Sequence, residues 1–226
     1  MIEGKKVLGV IVARGGSVRL PKKNLLKIGN NTLLGHAIIQ AKNSKFIDNI
    51  ICSTDSNEIK KNAIENGCPV PFLRPKYLAS NKATTKDLIE YICKKVDYHD
   101  YIIIIQPTSP LRISEDIDNA LRLCQKEKAY SVVSVTENLK HSNWMYYLND
   151  NNRLKPSIRT GKKDLTRKLF VLNGAVYVLR YDNIINHKAI IGKNTFAYKM
   201  PLERSIDIDT KLDLEIAKLI YQGKHI

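Results

Sequence analysis

Three short stretches carry residues whose types and spacing could do chemistry. The first is Ala13-Arg14-Gly15-Gly16-Ser17-Val18-Arg19-Leu20-Pro21-Lys22-Lys23-Asn24. It leaves an apolar run and turns on two glycines, which let backbone N–H groups approach a phosphate. Arg14, Lys22 and Lys23 can neutralise that phosphate, Lys as a point charge. The stretch is neither a GxxxxGK[ST] loop nor a GxGxxG turn, and a plain strand-to-loop turn with solvated lysines is the alternative. The second stretch is Gln106-Pro107-Thr108-Ser109-Pro110-Leu111-Arg112. Two prolines stiffen a loop in which Gln106 offers both a donor and an acceptor, enough to read a base or sugar edge. A rigid turn whose hydroxyls cap the next helix is the alternative there. The third is Ser205-Ile206-Asp207-Ile208-Asp209-Thr210. On an extended segment, Asp207 and Asp209 share a face and repel unless a cation neutralises them. Mg²⁺ takes one or two carboxylates together with phosphate oxygens; a solvated acidic edge or helix cap is the alternative. The histidines at 36, 99, 141, 187 and 225 show no ligand spacing and read as structural or surface groups. Glycine-basic loop, polar loop and acidic pair together suggest phosphoryl or nucleotidyl transfer, a chemistry of positioning and charge stabilisation.

These stretches need elements to hold them. Val7 to Ala13 reads as a buried strand, and Leu33, Leu34, Ala37, Ile38 and Ala41 recur at helical spacing. Ile50 to Ser53 is a second strand. Asp55 with Glu58 has capping-box spacing, and Gly67 stands where that helix should stop. Val70 to Leu73 reads as a strand fragment between prolines. Thr84 and Thr85 can cap a helix running to about Val96. Tyr101 to Ile105, apolar on both faces, is expected to be a central parallel strand. Ser114 can cap a helix carrying Ile117, Ala120, Leu121 and Cys124, and Ser131 to Val135 is another strand. The rhythm stops between about His141 and Lys168, which reads as an inserted arm. Alternation returns at Ala175 to Leu179, and Lys211 to Ile220 looks like a closing amphipathic helix. Strand–helix alternation predicts a mostly parallel sheet covered on both faces, with ligands beyond the carboxyl ends of its strands.

The chain has 226 residues, with 37 Lys plus Arg against 22 Asp plus Glu and a net charge of +15. Hydrophobic residues make up 43%, which excludes a disordered chain. The length suits one domain, or one with a substantial insertion. The charge attracts polyanions. Residues 14–27 hold five basic groups and no acid, and residues 153–168 hold seven with only Asp164. Neither stretch is rich in the aromatics that usually accompany single-strand nucleic-acid binding, so the charge reads first as solvated lysine faces, then as attraction for an anionic small substrate, and last as nucleic-acid binding. Cys52, Cys68, Cys93 and Cys124 form no CxxC motif and read as reduced, buried thiols of a cytoplasmic protein. No apolar run approaches the roughly 20 residues of a membrane helix. The run after Lys5 and Lys6 is short for a signal segment.

The motifs together resemble the CMP-sialic acid synthetase family, the acylneuraminate cytidylyltransferases. The resemblance runs nearly end to end. Its marks are residues 13–17 with Lys23-Asn24, Ser53-Thr54-Asp55, Leu73-Arg74-Pro75 with Leu78-Ala79-Ser80, Gln106 to Arg112, Asn173-Gly174-Ala175, and Ser205 to Thr210. It implies a Rossmann-like three-layer α/β/α fold of the nucleotide-diphospho-sugar transferase type. Residues 1–226 would form one domain, with an arm at about 141–170 that pairs two chains. It implies CTP as substrate, Mg²⁺ as cofactor, and a nine-carbon α-keto sugar acid whose anomeric hydroxyl attacks the α-phosphate. By position, Arg14, Ser17, Lys23 and Asn24 would hold the phosphates and ribose, with Lys23 stabilising the α-phosphate. Arg74 and Thr85 would help with the nucleotide. Gln106 would contact the sugar acid, and Ser109 and Asn173 join the substrate-binding candidates. Asp207 and Asp209 would hold Mg²⁺, and Asp209 is the carboxylate assigned to catalysis. Val18 stands where the family usually has Lys, and Val171-Leu172 where sialate-specific members often have Arg-Pro. Arg159, Arg167 or Lys168 could replace that missing cation, and a legionaminic acid would suit the more apolar wall. A Kdo cytidylyltransferase, suggested by Arg19-Leu20-Pro21, and a non-catalytic nucleotide- or nucleic-acid-binding protein are the alternatives.

Overall fold

The computed structural model describes residues 1–17, 19–80, 82–140, 145–148, 150, 152–156, 168–186 and 189–223. Its centre is a six-stranded, mostly parallel sheet in the order β10-β6-β9-β5-β1-β4. Strands β1 (Val7–Val12), β4 (Asn49–Ser53) and β5 (Tyr101–Ile105) run parallel. So do β6 (Ser131–Asn138) and β10 (Thr195–Lys199). The long strand β9 (Leu169–Arg180) runs antiparallel between β5 and β6. Side chains alternate across a strand, so one strand feeds two cores. Val7, Ile11, Ile103 and Ile105 pack against α1 (Leu33–Asn43), α2 (Asn57–Glu65) and α5 (Ser114–Lys126). Leu8, Val10, Ile102 and Ile104 pack against α3 (Lys76–Ala79), α4 (Thr85–Cys93) and α6 (Tyr181–Asn186). The result is a Rossmann-like three-layer α/β/α fold. A smaller core joins Ile28 of β2 (Lys27–Ile28), which pairs with β3 (Asn31–Thr32), to Leu214 and Ala217 of α7 (Lys211–Gly223). A short hairpin, β7 (Tyr146–Leu148) with β8 (Leu154–Pro156), lies in the expected arm. The rest of that arm falls largely outside the described residues, as do Val18, Arg159, Arg167, His141, His187 and His225.

Several local expectations change. Ser56, not Asp55, caps α2, its hydroxyl accepting the Ile59 N–H at 3.4 Å. Asp55 turns away because its carboxylate accepts the Gly15 N–H at 2.8 Å. Ser114 is the first residue of α5 rather than its cap. Ile113 holds the cap position, and its N–H is satisfied by Asp116 at 3.1 Å. Val70 to Leu73 is no strand: Pro69, Pro71 and Pro75 lack the N–H a ladder needs, and only Leu73 forms a bridge, to Thr54. β5 is central and fully buried, yet parallel on one side only. Gly67 does end α2, at φ +70°. Among the described residues no helix is long and apolar enough to cross a membrane.

Ser56→Ala removes one α2 cap and should cost about 1 kcal/mol in a denaturant titration. An unchanged midpoint would mean the Ser56 hydroxyl is not what holds the helix start.

Candidate active site

The carboxyl ends of β1 and β5 and the segment after β4 open into one cleft of about 340 Å³. Arg14, Ser17, Lys23, Asn24, Arg74, Thr85, Gln106, Asp207 and Asp209 all line it. The wall after β1 is held from outside. A Cβ on Gly15 would lie 2.9 Å from Ser56 Cβ, so only glycine lets the loop close on that neighbour. Lys22 takes φ +52° before a single 3-10 turn, Lys23–Leu25. Buried Asn24 donates to the Arg14 carbonyl at 2.9 Å and staples the loop's two ends together. Lys23, only 15% exposed, then points across the cleft and meets Asp209 Oδ1 at 2.8 Å.

The opposite wall is built by Ile208. Its side chain is wholly buried and its N–H donates to the Thr108 carbonyl at 2.8 Å. With Ile208 turned inward, period 2 sends Asp207 and Asp209 into the cleft. The Asp209 backbone N–H is satisfied by Asp213, 3.0 Å away. The two carboxyls are electrostatically unlike. The Lys23 hydrogen bond holds Asp209 below the usual carboxylate range, and Arg19, whose Nη2 is 2.6 Å from Oδ2, adds to this. Asp207 is pushed up. Its side chain is exposed, yet the protein packed around it penalises the charge, and Asp209 repels it while the Thr108 hydroxyl partly compensates. Among the described residues no cluster of three or more His, Cys, Asp or Glu could cage a metal ion. Two carboxylates facing basic groups do fit Mg²⁺, which completes its shell with waters and phosphate oxygens. The fit requires Asp209 to exchange at least one of its cation partners.

Gln106, Arg74 and the start of α4 complete the lining. Arg74 is 7% exposed and donates to the Ser53 hydroxyl at 3.2 Å and the Ser53 carbonyl at 2.7 Å. Burial lowers its pKa, and the charge of Asp55 opposes that. Thr84 caps α4 with a full capping box to Asp87, so Thr85 opens that helix on the cleft wall. Gly174 explains the placement of Gln106: at φ +73°, a Cβ there would lie 2.9 Å from Gln106 Oε1.

Two candidates, Ser109 and Asn173, do not line this cleft. Ser109 is wholly buried and donates to the Asn173 carbonyl at 3.2 Å. Asn173 is 4% exposed. Its carboxamide accepts from Ser134 Oγ at 2.6 Å and donates to Ser205 Oγ at 2.9 Å. Both lie behind the wall because their polar atoms are consumed in joining strands. Thr108, Ser80 and Thr84 line the cleft, and the sequence reading gave them no site role. Thr108 lay inside a motif already singled out, and its hydroxyl beside Pro107 was the available signal. Tyr177 of β9 does not line the cleft, but it lies near enough to Asp207 to feel its charge: burial raises its hydroxyl pKa, and Asp207 adds to this. Val171 and Leu172 are exposed on β9, and Lys168 pairs with Glu137 at 3.2 Å.

A family model described as cytidylyltransferase matches residues 8–226. A CMP-N,N'-diacetyllegionaminic acid synthase of Legionella pneumophila is 31% identical, covering 96% of this chain and 97% of that protein. An N-acylneuraminate cytidylyltransferase of Escherichia coli is 32% identical over 97% of this chain, which spans only 53% of that relative. A solved structure of CMP:2-keto-3-deoxy-manno-octonic acid synthetase complexed with CTP superposes with a TM-score of 0.75. It covers 97% of this chain and 99% of its own at 16% identity, which speaks for the fold alone.

The unlike carboxyls predict unlike mutants. Asp207 is raised, so at neutral pH its charge is less favourable in the folded than in the unfolded chain. Asp207→Asn should therefore keep or raise the melting temperature at pH 7. Asp209 is lowered, so it contributes stability above the ordinary carboxylate range and loses it as pH falls through the lowered value. Asp209→Asn should melt about 1–3 °C lower at pH 7, the scale of a part-exposed ion pair, with the difference fading in acid. Equal melting of the two variants would contradict this.

Proposed function

This chain belongs to the cytidylyltransferase family, and we propose that it couples CTP to a nine-carbon α-keto sugar acid and releases pyrophosphate. The observation that carries the reading is the cleft itself. A basic glycine-turned loop with Arg14 and Lys23 meets the carboxylate pair Asp207 and Asp209, and Gln106 lines the same cleft. The anomeric hydroxyl oxygen of the sugar acid forms a bond to the α-phosphorus of CTP, and the bond to the bridging oxygen of the β-phosphate breaks. The hydroxyl proton passes to a carboxylate of the Asp207–Asp209 pair, and the electron pair leaves with pyrophosphate. Lys23 and Arg14 stabilise charge on the phosphate oxygens, a preorganised electrostatic contribution. Arg74, Ser17 and Thr85 hold the nucleotide, and Asn24 keeps the loop in shape. Asp207 and Asp209 would hold Mg²⁺, which supplies further charge neutralisation on the phosphates. Gln106 would read the sugar acid.

The relatives named for diacetyllegionaminic and N-acylneuraminic acids support a nonulosonic acid substrate. With Val171-Leu172 in place of an Arg-Pro pair, we favour a legionaminate-type acid. Exposed Leu139, Tyr147, Leu148, Leu154 and Phe170 around the arm support a homodimer joined there. One domain spanning 1–226 with an arm at about 141–170 fits this arrangement. Four free, buried cysteines favour the cytoplasm.

Pyrophosphate release from CTP and Mg²⁺ tests the reading against N-acetylneuraminate, N,N'-diacetyllegionaminate, pseudaminate and Kdo. Turnover is expected with a nine-carbon acid and best with the diacetyl acid, and EDTA should abolish it. Asp209→Asn should lower kcat by at least about 100-fold, the scale of losing one preorganised charge partner. Turnover of Kdo alone, or activity indifferent to EDTA, would overturn the proposal.

A further inference from the structure

The largest of the fully buried side chains is an ion. Arg112 is 1% exposed. Its Nη1 donates to the Gln106 carbonyl at 3.0 Å and the Ala175 carbonyl at 3.1 Å. Its Nε and Nη2 have no hydrogen-bond partner among the described residues. Asp116 is the carboxylate whose charge it feels, but that group is already taken. Arg204 holds both its oxygens at 2.9 and 3.0 Å, and Tyr198 and the Ile113 N–H complete it. Burial draws the Arg112 pKa down to about 10, which leaves it charged at neutral pH. A buried guanidinium with two idle donors and no direct counter-ion is unfavourable, and an apolar side chain of similar volume would usually serve a core better. Departures of this kind gather at functional sites.

What Arg112 holds is specific. Gln106 is the first residue beyond β5, and its side chain lines the cleft. Ala175 follows Gly174, whose bare Cα lies against the Gln106 carboxamide. The guanidinium therefore fixes the backbone under Gln106 and, through Ala175, the strand surface beside it. Both bonds leave the one nitrogen Nη1, which the rigid planar guanidinium holds between the two carbonyls; a lysine would carry the charge on a flexible stem that does not fix that position. We propose that Arg112 is a positioning residue that aims the Gln106 carboxamide at the sugar acid, and so sets sugar-acid recognition rather than nucleotide binding. This rests on the reading of the cleft given above. The two hydrogen bonds of Arg112 go to the backbone of Gln106 and Ala175, neither of them in the basic loop that carries Arg14 and Lys23.

The test compares Arg112→Lys, Arg112→Met, Gln106→Ala and the double variant Arg112→Lys/Gln106→Ala, below their melting temperatures. CTP affinity is measured by calorimetry. KM and kcat are measured by pyrophosphate release with N,N'-diacetyllegionaminate and N-acetylneuraminate. Each Arg112 variant should raise the sugar-acid KM about tenfold, the worth of one misaligned hydrogen bond, and leave CTP affinity within about twofold. In the Gln106→Ala background, Arg112→Lys should change KM no further, because its effect passes through Gln106. Parallel loss of CTP affinity, additive effects in the double variant, or an unchanged sugar-acid KM would overturn the proposal. Should Arg112→Met not fold, Arg112→Lys carries the same comparison. Failure of the underlying reading shows separately, as a wild-type protein that turns over neither acid, and it removes this proposal with it.

Discussion

A cleft built to attract anions must hold its own cations together while it is empty. The Lys23–Asp209 ion pair meets that constraint. Its 2.8 Å contact joins residues 186 positions apart and closes the first loop of the chain onto its last extended segment. Arg19 approaches the other carboxylate oxygen at 2.6 Å. Without Asp209, Lys23 and Arg19 would lose the carboxylate that draws them together; with it, both are held at the cleft. The same contact leaves Asp207 as the less compensated carboxyl, so the pair divides into a neutralised member and a raised one.

Behind this surface lies a layer of buried polar groups that carry position rather than chemistry. Asn173 joins β6 through Ser134, the carboxylate segment through Ser205, and the loop after β5 through Ser109. Asp116 joins α5 to Arg204, three residues before Asp207. Arg112 joins the loop after β5 to β9. Groups partnered across elements, such as Asn173 and Asp116, cost little once made and much to leave half made, as Arg112 is with its two idle donors. That asymmetry keeps the walls of the cleft at fixed spacing. The Asn173 and Arg112 links depend on β9 running antiparallel. Its reversal brings residues 173–175 to the carboxyl end of β5, where a parallel strand would have placed its own carboxyl end.

Much of the frame was legible in the chain. Tyr101 to Ile105 reads as a buried strand because five apolar residues in a row suit no amphipathic element, and β5 has those bounds. The apolar spacing of α1, the glycine stop at Gly67 and the Thr84 cap follow from local rules. Local rules failed where a distant group competed. Asp55 has capping chemistry, but Gly15, 40 residues away in sequence, claims its carboxylate. Strand β10 was missed because a short edge strand needs no long apolar run.

Residue type and order determined the βαβ frame and the three stretches at strand ends, because hydrophobic period and turn chemistry are local properties. They also determined that a basic loop and an acidic pair exist. Only the tertiary structure decided which members share one cavity. It placed Arg14, Lys23, Arg74, Gln106, Asp207 and Asp209 around the cleft, and it put Ser109 and Asn173 behind the wall. The physical reason is that a polar side chain has limited bonding capacity. Whether that capacity meets a ligand or a neighbouring strand depends on contacts between residues far apart in the chain, which sequence spacing does not encode.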